Sequence, residues 1–134
     1  MREVTRKDWD IRGEERMTDA QRRMLNAICG CLSVQMHWHG NRLTKDDWRH
    51  LLAGTMLGWR MMPAIDRGEG AAGFIMLGGS SLDLTRSMAA EAITQALHIG
   101  DHPEEQGMTA RPVQWCDAVL LGLGFNPGDF REVA

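Results

Sequence analysis

The chain has 134 residues, 43% of them hydrophobic and 25% charged, which suits a single globular domain with a core of its own. Residues 1–16 are charged throughout, and no apolar run approaches the roughly 18 residues of a membrane span, so neither a secretory leader nor a spanning helix is expected and the cytoplasm is the expected location. The net charge of −3 is unevenly spread: residues 1–60 hold 11 basic and 8 acidic side chains, residues 61–134 hold 4 and 10, so any phosphate contact belongs to the first half.

Residues 1–16 alternate charges around Val4, Trp9 and Ile11 without a helical stripe. Val4 could seed a short strand; otherwise the segment reads as an arm, mobile until a partner holds it, ahead of a domain over 17–134. Thr18-Asp19-Ala20-Gln21 has the form of a capping box and predicts a helix start. Apolar residues then recur at Met24, Leu25, Ile28, Cys29, Leu32 and Met36, one buried face of a helix expected to end near Trp38-His39-Gly40. There Gly40 would take a left-handed cap conformation and His39 would bond the last carbonyls. Thr44-Lys45-Asp46-Asp47 opens a second helix with carboxylates at its positive end. Its predicted stripe is Trp48, Leu51, Leu52, Thr55, Met56 and Trp59, and Pro63 is its predicted stop.

From Met61 the period changes. Met61 to Ile65 and Gly73 to Leu77 are short apolar runs around a Gly-rich turn, which predicts a hairpin with a loop longer than two residues. Gly78-Gly79-Ser80-Ser81 reads as a connector. Thr85 caps a third predicted helix, Arg86 to about Ile99, with an apolar face of Met88, Ala92, Ile93, Ala96 and Leu97 and with Gly100 as its end. A fourth is expected from Pro112 through Trp115, Val119 and Leu120 to Gly122 or Gly124, followed by an irregular tail. The layout is α+β, mostly helical with one small β-hairpin.

Constellations for chemistry are sparse. Cys29, Cys31, His37 and His39 fall within eleven residues, yet helical residues two apart diverge by about 200°, so Cys29 and Cys31 cannot share an ion on an intact helix. With Cys116 the cysteines make an odd count, and reduced, buried thiols are expected in place of a disulfide framework or a metal site. The pair Asp46-Asp47 is explained by the helix dipole. Ser80 and Ser81 lack a nucleophile-elbow context, and Gly78-Gly79 lacks the form of a phosphate loop. No catalytic residue, metal or cofactor is expected, and the chain does not read as an enzyme.

Single-stranded nucleic acid is gripped by cations along a groove and by aromatic rings that stack on bases, about 1–3 kcal/mol each. Arg22 and Arg23 fall near the exposed side of the first helix; Arg42, Lys45 and Arg49 lie on or before the second; Gln21 offers a hydrogen bond to a phosphate or a base edge. Among the tryptophans, Trp48 and Trp59 lie on buried stripes, Trp38 packs where the chain turns, and Trp9, in the polar arm, is the freest for stacking or docking. The ten methionines suit an adaptable apolar interface.

Three segments in this order carry a family resemblance. They are the helix start Asp19 to Arg23; Trp38-His39-Gly40 with Leu43 and Trp48, spaced as W-H-G-x-x-L-x-x-x-x-W; and Gly73 to Gly78 leading to Ser80-Ser81. Together they resemble the NinB family of phage recombination accessory proteins. The resemblance implies an intertwined homodimer in the cytoplasm of a bacterial host. That dimer would bind single-stranded DNA and work with the host single-strand-binding protein to help load a recombinase, without enzymatic activity. It also implies a basic residue after the Ser-rich segment, where this chain has Asp83 and, one turn on, Arg86. A second reading is a protein–protein adaptor of the same fold with little DNA affinity, favoured by Asp83, the short N-terminus and the acidic second half. A metal-dependent nuclease is a distant third.

Overall fold

The structure, a computed structural model, describes residues 9–68, 70, 73–78 and 83–125. The expectations for Val4, for residues 79–81 of the connector and for the tail beyond Phe125 lie outside these residues. The described elements are α1 (Asp19–Gln35), β1 (His37–Trp38), β2 (Asn41–Arg42), α2 (Lys45–Leu57), β3 (Trp59–Pro63), β4 (Phe74–Gly78), α3 (Arg86–Asp101), a 3-10 turn (Pro103–Gln106) and α4 (Asp117–Gly122). The class is α+β, with two small antiparallel two-stranded sheets where the sequence predicted one.

Each long helix starts on a threonine. Thr18 accepts from Gln21 N while the Gln21 side chain returns to Thr18 N at 3.0 Å, the reciprocal bonding of a capping box. Thr44 and Asp47 repeat the arrangement at α2, and the Thr85 hydroxyl accepts from Met88 N at α3. The predicted stripe of α1 is buried in full, and Cys31 and Gln21 join it. α1 packs against α2, α3 and α4, which makes it the central element of the core. Ala89, Ala90, Ala92 and Ala96 are fully buried and let α3 approach its neighbours closely, with Met88 and Leu97 at the margin.

Helix ends depart from expectation. α1 stops at Gln35, and the chain turns at His39 (φ 46°) and Gly40 (φ 84°), joining β1 to β2. Two consecutive positive φ angles are the signature of a type I′ hairpin turn, so Gly40 serves a hairpin and His39 does not cap the helix. α2 ends at Gly58 (φ 84°), five residues before Pro63, and Trp59 therefore begins a strand instead of ending a helical stripe. Thr55 is exposed for the same helix. Gly100 lies inside α3: the Trp115 ring occupies the space a Cβ would need, and the Trp115 indole donates to Asp101 Oδ1 at 2.8 Å. Residues 112–116 are not helical, and α4 starts only at Asp117.

The described part of the N-terminal segment is built into the domain. Residues 13–17 run antiparallel to 84–87, through Ser87 N to Gly13 O at 3.0 Å, Arg86 N to Glu15 O at 2.7 Å and Met17 N to Leu84 O at 3.1 Å. Trp9 is 1% exposed and belongs to the core, which corrects its reading as a free stacking residue.

β3 and β4 form the opposite case. Their register pairs Met61 with Met76 and Met62 with Ile75, and every residue of both strands is exposed. Alternation puts Trp59, Met61, Phe74 and Met76 on one face and Arg60, Met62, Ile75 and Leu77 on the other. One face is wholly apolar and the other is interrupted only by Arg60, a pattern close to that of strands covered from two sides.

Two tests follow from the caps and the buried amide. Gln21→Leu keeps the volume but strands three carbonyls, and should cost about 2–4 kcal/mol in urea unfolding; an unchanged midpoint would remove Gln21 as a structural hub. The Thr44 amide N–H, and then its hydroxyl, hold the Asp47 carboxyl below its ordinary value. A depressed carboxylate stabilises the fold above the unfolded pKa of about 4, and that contribution is lost as pH falls through the folded value. Asp47→Asn should therefore flatten the acid limb of stability measured between neutral pH and pH about 3.

Candidate nucleic-acid interface

The seven residues singled out for DNA contact separate into three groups. Gln21 is fully buried, and its Nε2 donates to the carbonyls of Trp9 (2.9 Å), Ile11 (2.8 Å) and Arg86 (2.9 Å). A carboxamide with two N–H groups shared among three main-chain oxygens has nothing left for a phosphate. Gln21 is therefore a structural residue, contrary to the sequence expectation. Arg86 is half-buried against the same segment: its guanidinium pairs with Glu15 at 2.9 Å and reaches Arg16 O at 3.3 Å. Its role in the structure is to fasten residues 13–16.

Arg22 and Arg49, each in an ion pair, lie along the seam between α1 and α2. Arg49 donates to Asn26 Oδ1 at 3.1 Å and forms an ion pair with Asp46. Asn26 is one turn along α1 from Arg22 and Arg23. Burial pushes the Cys29 thiol up to about 12, against an opposing pull from Arg49 and Lys45, so the field of both cations reaches the middle of α1. Arg22 pairs with Asp19 at 3.3 Å on the exposed surface. Exposed pairs of this kind contribute little to stability and exchange readily with a competing anion.

Arg23, Arg42 and Lys45 are exposed and carry no ion pair among the described residues. Arg42 stands opposite His37 in the β1–β2 hairpin. Arg23 borders a groove with Ala20, Met24, Ala118 and Gly122. Trp38 supports the hairpin from beneath, edge-on to His39 at 4.6 Å and to the fully buried Trp48 at 5.7 Å. The W-H-G segment thus anchors a cationic hairpin on the core. A polar groove of about 550 Å³ beside it is lined by Gln35, His37, His39 and residues 107–110.

Trp59, like Trp9, stands where the sequence did not place it. It is 52% exposed and leans across Gly54, on the edge of an apolar groove of about 730 Å³ lined also by Trp38, Leu43, Leu51 and Met76. Gly58 was the available signal, since a glycine after a helical stripe marks an end as well as a proline does. Cys116 is exposed, not buried as expected, and lies beside Cys31; no group of three or more His, Cys, Asp or Glu is placed to hold a metal ion among the described residues.

Comparison with known proteins gives a consistent answer. Residues 5–102 match the model of the NinB protein family. A solved structural-genomics structure of NinB superposes with a TM-score of 0.54 at 22% identity, over 81% of this chain and 74% of that one, a likeness of fold. No curated protein matches the chain in sequence.

For the exposed cations, Arg23→Ala, Arg42→Ala and Lys45→Ala should each weaken binding of a single-stranded oligonucleotide without regard to its sequence. Each should also reduce the slope of log affinity against log salt by roughly 0.7, the share of one phosphate contact. Fluorescence anisotropy at several salt concentrations measures both, and an unchanged slope for all three would place the DNA elsewhere.

Proposed function

The chain belongs to the NinB family, and from that premise we propose that it is an accessory protein of phage recombination that binds single-stranded DNA as a homodimer. In this role it works with the host single-strand-binding protein to help load the recombinase, and it performs no catalysis itself. Family membership carries the reading; the cations of the α1–α2 seam and of the β1–β2 hairpin support it chemically. A flexible anionic strand needs a row of positive side chains on a rigid support more than it needs a pocket. Arg22, Arg49 and Lys45 stand on two packed helices, and Arg42 on a hairpin strand whose partner strand holds Trp38 against Trp48.

The β3–β4 hairpin supports the dimer. An isolated two-stranded hairpin is marginal in water, and one with so much exposed apolar surface gains stability when that surface is covered. A second copy supplies an identical hairpin and an identical groove, the self-complementary arrangement of a two-fold interface.

A specific observation favours the adaptor reading. Arg22, Arg49 and Arg86 are each paired with a carboxylate, Asp19, Asp46 and Glu15, so much of the basic excess is neutralised locally. Oligonucleotide binding decides between the two. The mediator binds at low salt and releases steeply as salt rises. The adaptor shows no binding at low salt and a salt-insensitive complex with the single-strand-binding protein. Light scattering tests the dimer separately: the wild type should run at twice the chain mass, and Met61→Asp with Ile75→Lys should yield monomers with unchanged helical circular dichroism. A variant that stays dimeric would move the interface off the hairpin.

A further inference from the structure

Two of the three cysteines meet across the fold. Cys31 lies on α1 and is 7% exposed, while Cys116 is exposed at the residue before α4. The Cys116 amide donates to Cys31 Sγ at 3.4 Å, which sets the two cysteines side by side. Gln35, one turn further along α1, holds the neighbouring backbone on both sides: its Oε1 accepts from Gln114 N and its Nε2 donates to Gln114 O, each at 2.8 Å. The two sulfurs are thus presented to each other by a strapped segment, not by chance approach of a loose loop. Cys29 sits two positions earlier, fully buried, and takes no part.

We propose that Cys31 and Cys116 form a reversible disulfide that ties α4 to α1, a redox-sensitive staple on this fold. The exposed Cys116 thiolate attacks a small-molecule disulfide of the glutathione class, forming a mixed disulfide and releasing one thiolate, which takes up a proton. Cys31 then attacks the Cys116 sulfur, its proton leaving with the second small thiol. The protein loses two protons and two electrons, and the small disulfide gains both as two thiols. The order of events follows from access: burial pushes the Cys31 thiol up to about 11, so Cys116 reacts first and Cys31 resolves.

The consequence reaches the cationic surface. α4 contributes Ala118 and Gly122 to the groove that Arg23 borders, and Gly122 sits where a Cβ would press on the Met24 sulfur. A covalent tie at Cys116 fixes that wall, whichever ligand the groove serves.

The full-length protein incubated with excess oxidised glutathione should lose two hydrogens in intact mass, with peptide mapping joining Cys31 to Cys116 and Cys29 remaining free. Its Tm should rise by roughly 5–10 °C and return on reduction with dithiothreitol. Cys29→Ser should still form the bond; Cys31→Ser should stop at a glutathione adduct on Cys116. The proposal is overturned if the wild type keeps three free thiols, if it stops at a stable adduct, or if it gives a Cys116-to-Cys116 bond between two chains.

Discussion

The buried carboxamide of Gln21 is the interaction around which the helical core is arranged. Carbonyl groups removed from water must find donors, and the N-terminal segment brings two of them, from Trp9 and Ile11, into the interior together with the large indole of Trp9. α3 adds a third at Arg86. One side chain meets all three while its own oxygen closes the capping box at Thr18. The start of α1, the start of α3 and the path of residues 9–17 are therefore fixed relative to one another by a single amide. The ladder from Gly13 to Met17 and the Arg86–Glu15 pair extend what that amide sets.

The starts of α1, α2 and α3 were legible in the sequence because a threonine cap is a local signal, its hydroxyl and the amide it accepts from lying within four residues. α4, which has no side-chain cap, was placed five residues early. Helix ends were not legible, because they depend on what the chain does next. Gly100 looks like a terminator in sequence and does lie in the last turn of α3, but its place there is explained by the arrival of Trp115 from fifteen residues away, not by a left-handed cap. Gly58 and Pro63 both punctuate, and which of them ends α2 is decided by pairing with Phe74–Gly78 across the loop. The short β1–β2 hairpin escaped because two-residue strands carry no period; the positive φ of His39 is a property of the turn.

The candidate interface was legible where exposure alone decides it, as for Arg22, Arg23, Arg42 and Lys45. It was misread where tertiary contacts convert a polar residue to another use. A glutamine beside two arginines reads as surface by default, and a tryptophan among charges reads as free. Both readings fail for one reason, since Gln21 and Trp9 satisfy and bury each other's surroundings. What the folded chain offers is a seam whose cations are positioned by helix packing and tempered by Asp19 and Asp46. A ligand there competes with carboxylates already in place, and affinity becomes a contest between anions.

The β3–β4 hairpin adds a dependence of another kind. Its faces carry methionine, phenylalanine, isoleucine and tryptophan, and apart from the groove that Trp59 and Met76 share with α2 they stand exposed among the described residues. Its order is then governed by mass action: the free energy of covering it varies with the logarithm of the concentration of whatever does so. Dilution and crowding thereby become structural variables for the ten residues of β3 and β4.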